Sequence, residues 1–181
     1  MRDNDCGLLL VGLHSSGKTT LSQAFSSTGD YLIFELGDGV REIARRRSQT
    51  NLVRIASEVL AGNDPVLLAK MAVAKARIFN GVVPVFVGAR TTEERDYLVS
   101  CYPRLLVIGL NTSSSTRLAR WNKRQMMVTD KWEEREQWER SWCTELLVEE
   151  SCLQLSGENA IPEMCSTISD EIRKKWGVKD V

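Results

Sequence analysis

Short apolar runs alternate along the chain with longer segments in which apolar residues recur every three or four positions. Runs of strand length fall at Gly7–Val11, Tyr31–Leu36, Val82–Val87, Leu105–Leu110 and Cys152–Leu155. Helical periodicity fills the gaps, at Thr20–Phe25, Gly39–Arg47, Leu52–Leu60, Pro65–Phe79, Thr92–Cys101, Ser114–Trp121, Lys131–Val148 and Pro162–Trp176. Strand alternating with helix predicts a five-stranded parallel sheet covered by helices on both faces, a three-layer α/β sandwich. The near-continuous apolar run Val82–Val87 suits a central strand, although Pro84 within it cannot donate a ladder hydrogen bond. Asn63-Asp64-Pro65 offers a cap and a first-turn proline to the helix that follows. No linker, repeat or low-complexity tract divides the sequence, so residues 1–181 are expected to form one domain.

Composition narrows the function classes. Twenty-four basic residues balance twenty-four acidic ones, which argues against a general electrostatic grip on nucleic acid or an anionic membrane. Five cysteines without C-x-x-C spacing indicate neither a disulfide framework nor a zinc site and fit a reducing cytoplasm. No apolar stretch approaches the length of a membrane span.

The chemistry enters immediately after the first apolar run. Gly12-Leu13-His14-Ser15-Ser16-Gly17-Lys18-Thr19 spells G-x-x-x-x-G-K-[ST], a phosphate-binding (Walker A) loop, and it stands between a predicted strand and a predicted helix as that motif requires. The glycines allow a tight turn that points successive N–H groups inward, including those of His14, Ser15 and Ser16. Lys18 is placed to reach the β- and γ-phosphates of ATP, and the Thr19 hydroxyl to ligate Mg²⁺. Thr20 opens the helix, whose dipole favours an anion at its N-terminus. His14 is the only histidine but occupies a variable position of the loop, so a general-base role is not indicated.

In open parallel sheets ligands bind beyond the carboxyl ends of the strands. The second strand ends at Glu35, followed by Leu36-Gly37-Asp38-Gly39-Val40-Arg41, and the third runs into Gly88-Ala89-Arg90. Arg41 and Arg90 are therefore candidates to hold a phosphoryl acceptor. Glu35 and Asp38 add carboxylates beside the phosphate loop. A hydroxyl acceptor benefits from such a base, whereas a phosphate oxygen does not need one. Asp38 is the candidate base and Glu35 the second.

The motif order resembles the nucleoside monophosphate kinases, and more closely dephospho-CoA kinase and its adenylate-kinase-like relatives. In those relatives a phosphate loop, G-D-x-x-R-E, a strand ending D-G-x-R, an arginine-spaced helix and D-x-x-x-W-E-E follow one another. Here they correspond to Gly12–Thr19, Gly37–Glu42, Val87–Arg90, Arg117–Arg124 and Asp130–Glu134. The resemblance implies a P-loop NTPase fold of adenylate-kinase type, acceptor-binding helices at about 38–80 and a helical lid at about 117–135. It further implies that Arg120 and Arg124 close over the donor and stabilise charge on the moving phosphoryl group. ATP and Mg²⁺ are the implied cofactors, and a small nucleotide or nucleoside-like molecule the implied acceptor, bound by a monomer or homodimer. A hydroxymethylated pyrimidine in DNA is the alternative acceptor that the two carboxylates would serve. The family aspartate at the end of the third strand is Val87 here, which leaves either a catalytically weak ATP-binding scaffold or transfer of the acid's duty to Glu35 or Asp38. A guanine-reading N-K-x-D is absent, since Asn122-Lys123-Arg124-Gln125 lacks the aspartate and lies beyond a helix.

Overall fold

A computed structural model describes residues 5–27, 29–79, 81–124 and 131–177. Five strands, β1 (Cys6–Val11), β2 (Tyr31–Glu35), β3 (Val83–Val87), β4 (Arg104–Asn111) and β5 (Leu153–Ser156), form one parallel sheet in the order β2-β3-β1-β4-β5. The alternation along β1 explains its position. Leu8 and Leu10 point into one core with Val85, Val87, Leu106 and Ile108, while Leu9 and Val11 point into the other with Phe34, Phe86 and Val107. A strand apolar at every position can be buried on both faces only at the centre of such a sheet.

Helices α1 (Lys18–Ser26) and α9 (Ile161–Trp176) cover one face, the latter through Met164, Ile168 and Ile172. The other face is covered by α2 (Leu36–Arg46), α3 (Leu52–Leu60), α4 (Leu67–Ala76) and α5 (Thr92–Cys101). Leu147 of α8 (Thr144–Glu149) belongs to the same core. Two further helices, α6 (Ser114–Arg124) and α7 (Trp132–Arg140), lie at the carboxyl ends of the strands. The proline in β3 is accommodated by register: β1 joins β3 from Val85 onward, one residue past Pro84.

Two departures from the expected elements bear on the site. The stretch after β2 is not a loop, because α2 begins at Leu36 and places Asp38 in its first turn, where a carboxylate is favoured by the helix dipole. The helix expected over Lys131–Val148 is two, separated by a turn at Ser141–Cys143. No glycine or proline marks this break. It arises because the halves have different partners, α7 the phosphate loop and α8 the sheet. Among the described residues no helix is long and apolar enough to cross a membrane.

Candidate active site

The phosphate loop joins β1 to α1. Gly12 adopts φ 151°, and a Cβ there would stand 2.8 Å from Ser16 Oγ and 2.9 Å from the Leu110 carbonyl oxygen. Ser15 takes a left-handed conformation with φ 58°, and Gly17 caps α1 at φ 108°. These turns wrap the loop around the Lys18 ammonium, which donates to the carbonyls of Gly12 (2.6 Å) and Leu13 (2.8 Å) and to Ser16 Oγ (3.3 Å). Burial lowers the Lys18 pKa to about 8, and nearby Glu139 offsets part of that shift. Thr19 and Thr20 are exposed at the start of α1.

A triad of charges stands at the mouth of the loop. Arg41 donates to Glu35 Oε2 at 2.8 Å and through Nε to Asp38 Oδ1 at 3.0 Å. Glu35 Oε1 accepts from the Thr19 hydroxyl at 3.4 Å. Arg41 thus sits between the two carboxylates that sequence proposed for metal and base duty. Val87, which takes the place of the aspartate in the D-G-x-R pattern, lies opposite Glu35 in the β2–β3 register. The neighbouring strand therefore offers a carboxylate level with the vacant position. Thr19 and Glu35 are hard oxygen donors 3.4 Å apart, and among the described residues no group of three or more acids, histidines or cysteines could hold a metal by itself. That donor set fits Mg²⁺, which takes one or two protein oxygens and completes its shell with phosphates and water.

Arg90 follows β3. Thr91 Oγ1 accepts the Glu94 N–H at 3.2 Å, and Glu94 Oε2 accepts the Arg90 N–H at 2.8 Å, so a reciprocal cap on α5 fixes the residue. Burial raises the Glu94 pKa to about 6. The Arg90 guanidinium lies 5.2 Å from the Trp138 ring, its Nη1 buried without a hydrogen-bond partner.

The arginines of α6 divide. Arg120 donates to the carbonyls of Ser16 (3.0 Å) and Gly157 (2.7 Å), clasping the phosphate loop to the loop after β5. Arg124 is exposed at the end of α6. The rest of the expected lid, 125–130 with Asp130 of the D-x-x-x-W-E-E segment, lies outside the described residues.

The groups that cover the loop were not among the site residues proposed from sequence. Arg117 is 1% exposed and makes a two-pronged bond to Glu136 of α7, 2.6 Å at each prong. Those bonds hold the Glu136 pKa down to about 2. Glu136 Oε2 also meets His14 Nε2 at 2.8 Å. One turn further, Glu139 Oε2 accepts the His14 backbone N–H and Oε1 accepts from Arg135 at 3.0 Å. The His14 ring packs against Trp132 and Trp121, with centroids 4.4 and 5.3 Å away, and burial lowers its pKa. Spacing along α7 does put Glu136 and Glu139 on one face, but nothing local pairs them with a loop more than 120 residues earlier.

No family model matches the chain, and no curated protein matches it. Solved structures do. A gluconokinase from Sinorhizobium meliloti 1021 superposes with a TM-score of 0.60 at 15% identity, covering 96% of this chain and 95% of that one. Shikimate kinase from Acinetobacter baumannii, in complex with shikimate, gives 0.58 at 16% identity and 93% of each chain. Shikimate kinase from Aquifex aeolicus vf5 gives 0.53 at 14%, covering 92% and 96%. At these identities the likeness is one of architecture, and the chain has the fold of these P-loop kinases.

Proposed function

We propose that this protein is a P-loop kinase that transfers the γ-phosphoryl group of Mg-ATP to a hydroxyl of a small acceptor, nucleosides and nucleotides being among the candidates. The observation that carries this reading is the carboxylate pair Glu35–Asp38 at the mouth of the phosphate loop, bridged by Arg41 and reaching the Thr19 hydroxyl. A phosphate acceptor brings its own nucleophilic oxygen and needs no base, whereas a hydroxyl gives Asp38 a catalytic task beyond its contacts at the start of α2. The structural neighbours, named for gluconate and shikimate, support the same preference, since both are small hydroxylated acids. The motif order shared with dephospho-CoA kinase supports phosphoryl transfer without choosing the acceptor. A hydroxymethylated pyrimidine in DNA belongs to the same chemical class.

In this reading Lys18 and the loop N–H groups of 14–20 bind the phosphates, and Thr19 and Glu35 hold Mg²⁺. The metal, when bound, offsets charge on the phosphate oxygens. Arg41 and Arg90 line the acceptor side, and Arg120 keeps the loop in shape through its carbonyls rather than touching the donor. Arg124 is assigned to donor closure only on the resemblance. The acceptor oxygen forms a bond to the γ-phosphorus, ADP leaves, and the acceptor's proton passes to Asp38.

The test is a panel of acceptors with Mg-ATP, comprising sugar acids, nucleosides, nucleoside monophosphates, dephospho-CoA and hydroxymethylated DNA, scored for ADP and phosphorylated product. Hydroxyl-dependent turnover is expected. With the active acceptor, Asp38→Asn should lower kcat by about 100-fold or more while changing the Kd for Mg-ATP little. Transfer to a monophosphate group alone, or equal loss of kcat and ATP affinity in the variant, would contradict the assignment of Asp38 as base.

A further inference from the structure

Glu136 and Glu139 both reach the phosphate loop from α7, but they answer different cations. Glu136 answers the buried Arg117, whose guanidinium would otherwise be an unpaired internal charge. Glu139 makes its ion pair with Arg135 of its own helix, and the desolvated cations that its charge answers, Lys18 and Arg90, are the loop lysine and the arginine that follows β3. Its side chain is 6% exposed, and one carboxylate oxygen accepts the backbone N–H of His14 inside the G-x-x-x-x-G-K-T loop. Arg135 first, then Lys18 and Arg90, hold its pKa below the usual range against the cost of burial. A backbone N–H of the loop, the loop lysine and an arginine are the groups that a polyphosphate engages.

We propose that Glu139 is an internal competitor for the nucleotide: without nucleotide the protein seats this α7 carboxylate in its own phosphate loop, and Mg-ATP binds only as Glu139 withdraws. The inference rests on the reading of the loop as a nucleotide site and adds a regulation of that site. A carboxylate shares the anionic oxygens of a phosphate and can accept the same loop donor, so it holds the cradle in shape while keeping other anions out.

Displacement reaches beyond the loop. On α7, Trp138 donates from Nε1 to Ser57 Oγ of α3 at 2.6 Å, and its ring carries Arg90 at 5.2 Å and Arg135 at 4.7 Å. Any shift of α7 that frees the loop therefore disturbs α3 and Arg90, on the side assigned to the acceptor. Donor entry and acceptor-pocket shape are linked through one short helix.

For a site open only part of the time, the apparent Kd exceeds the intrinsic one by the inverse of the open fraction. Removing the competitor should recover that factor. Calorimetric titration of the full chain with Mg-ATP is expected to give at least about tenfold tighter binding for Glu139→Gln than for the wild type, with Glu139→Ala as tight or tighter. Two variants guard against a fold artefact, and each is checked for a cooperative thermal transition. If the wild type binds Mg-ATP and both folded variants bind it equally or more weakly, the competition is overturned while the nucleotide reading stands. If neither the wild type nor the variants bind Mg-ATP, the nucleotide reading fails and the competition falls with it.

Discussion

The phosphate loop and the helix that covers it are made differently. The loop works through its backbone: Gly12 where a Cβ would strike Ser16 and Leu110, Ser15 and Gly17 at positive φ, and Lys18 drawn in by two carbonyls. Apart from Leu110, all of this is contained in eight consecutive residues. The cover works through side chains brought from far away, Arg117 to Glu136 and then Glu136 and Glu139 to His14. Chemistry that depends on local backbone shape announces itself as a motif, whereas chemistry that depends on two surfaces meeting does not.

The comparison breaks first at Lys18. Lys18→Ala should abolish measurable phosphoryl transfer, a loss of about 1,000-fold or more. The fold should survive, because the ammonium removed is one that burial already disfavours. Retained transfer in a cooperatively folded variant would remove the loop from the mechanism.

Arg117→Ala strikes the cover instead. It leaves Glu136 without its two-pronged partner but with Arg140 and His14 still in contact, so the cost should fall near the low end for a broken buried pair, about 3 kcal/mol, or roughly 10 °C in Tm for a domain of this size. Thermal unfolding of the single variants and of Arg117→Ala with Glu136→Gln separates pair from residue. The double variant should recover part of the loss, and strict additivity would deny the pairing.

A smaller effect follows from the same carboxylate. The bonds from Arg117 hold the Glu136 pKa at about 2, below the ordinary 4.5. A depressed acid contributes stability that is complete above its unfolded pKa and is lost as pH falls through the folded one. The contribution, about 3 kcal/mol, should therefore be present above pH 4.5 and vanish towards pH 2. In urea titrations across that window the wild type should lose more stability than Glu136→Gln. Parallel curves would place the charge elsewhere.

The fold was legible wherever burial imposed a simple period. β1 is apolar throughout because both its faces are covered, and each of the five expected strands is present within one residue at either end. Boundaries set by tertiary contacts were not legible. The turn at Ser141–Cys143 carries no breaker residue, and α2 starts at Leu36 directly after β2, so Asp38 is helical rather than in a loop. The arginines of α6 illustrate the same limit. Their helical spacing could not distinguish Arg117, sunk against Glu136, from Arg120, bonded to carbonyls, or from Arg124 at the exposed end. Which basic residue meets which partner is decided by the path of α7, and the W-E-E that opens α7 does not announce that path.

Hydrogen exchange of the full chain with and without saturating Mg-ATP tests the central claim, that the triphosphate occupies the loop. Amides across Gly12–Thr20 should gain protection as phosphate oxygens take up their N–H groups, while those of Trp132–Arg140 lose it as Glu139 leaves. Unchanged exchange over Gly12–Thr20 at a nucleotide concentration that saturates binding would place the nucleotide elsewhere and contradict the account.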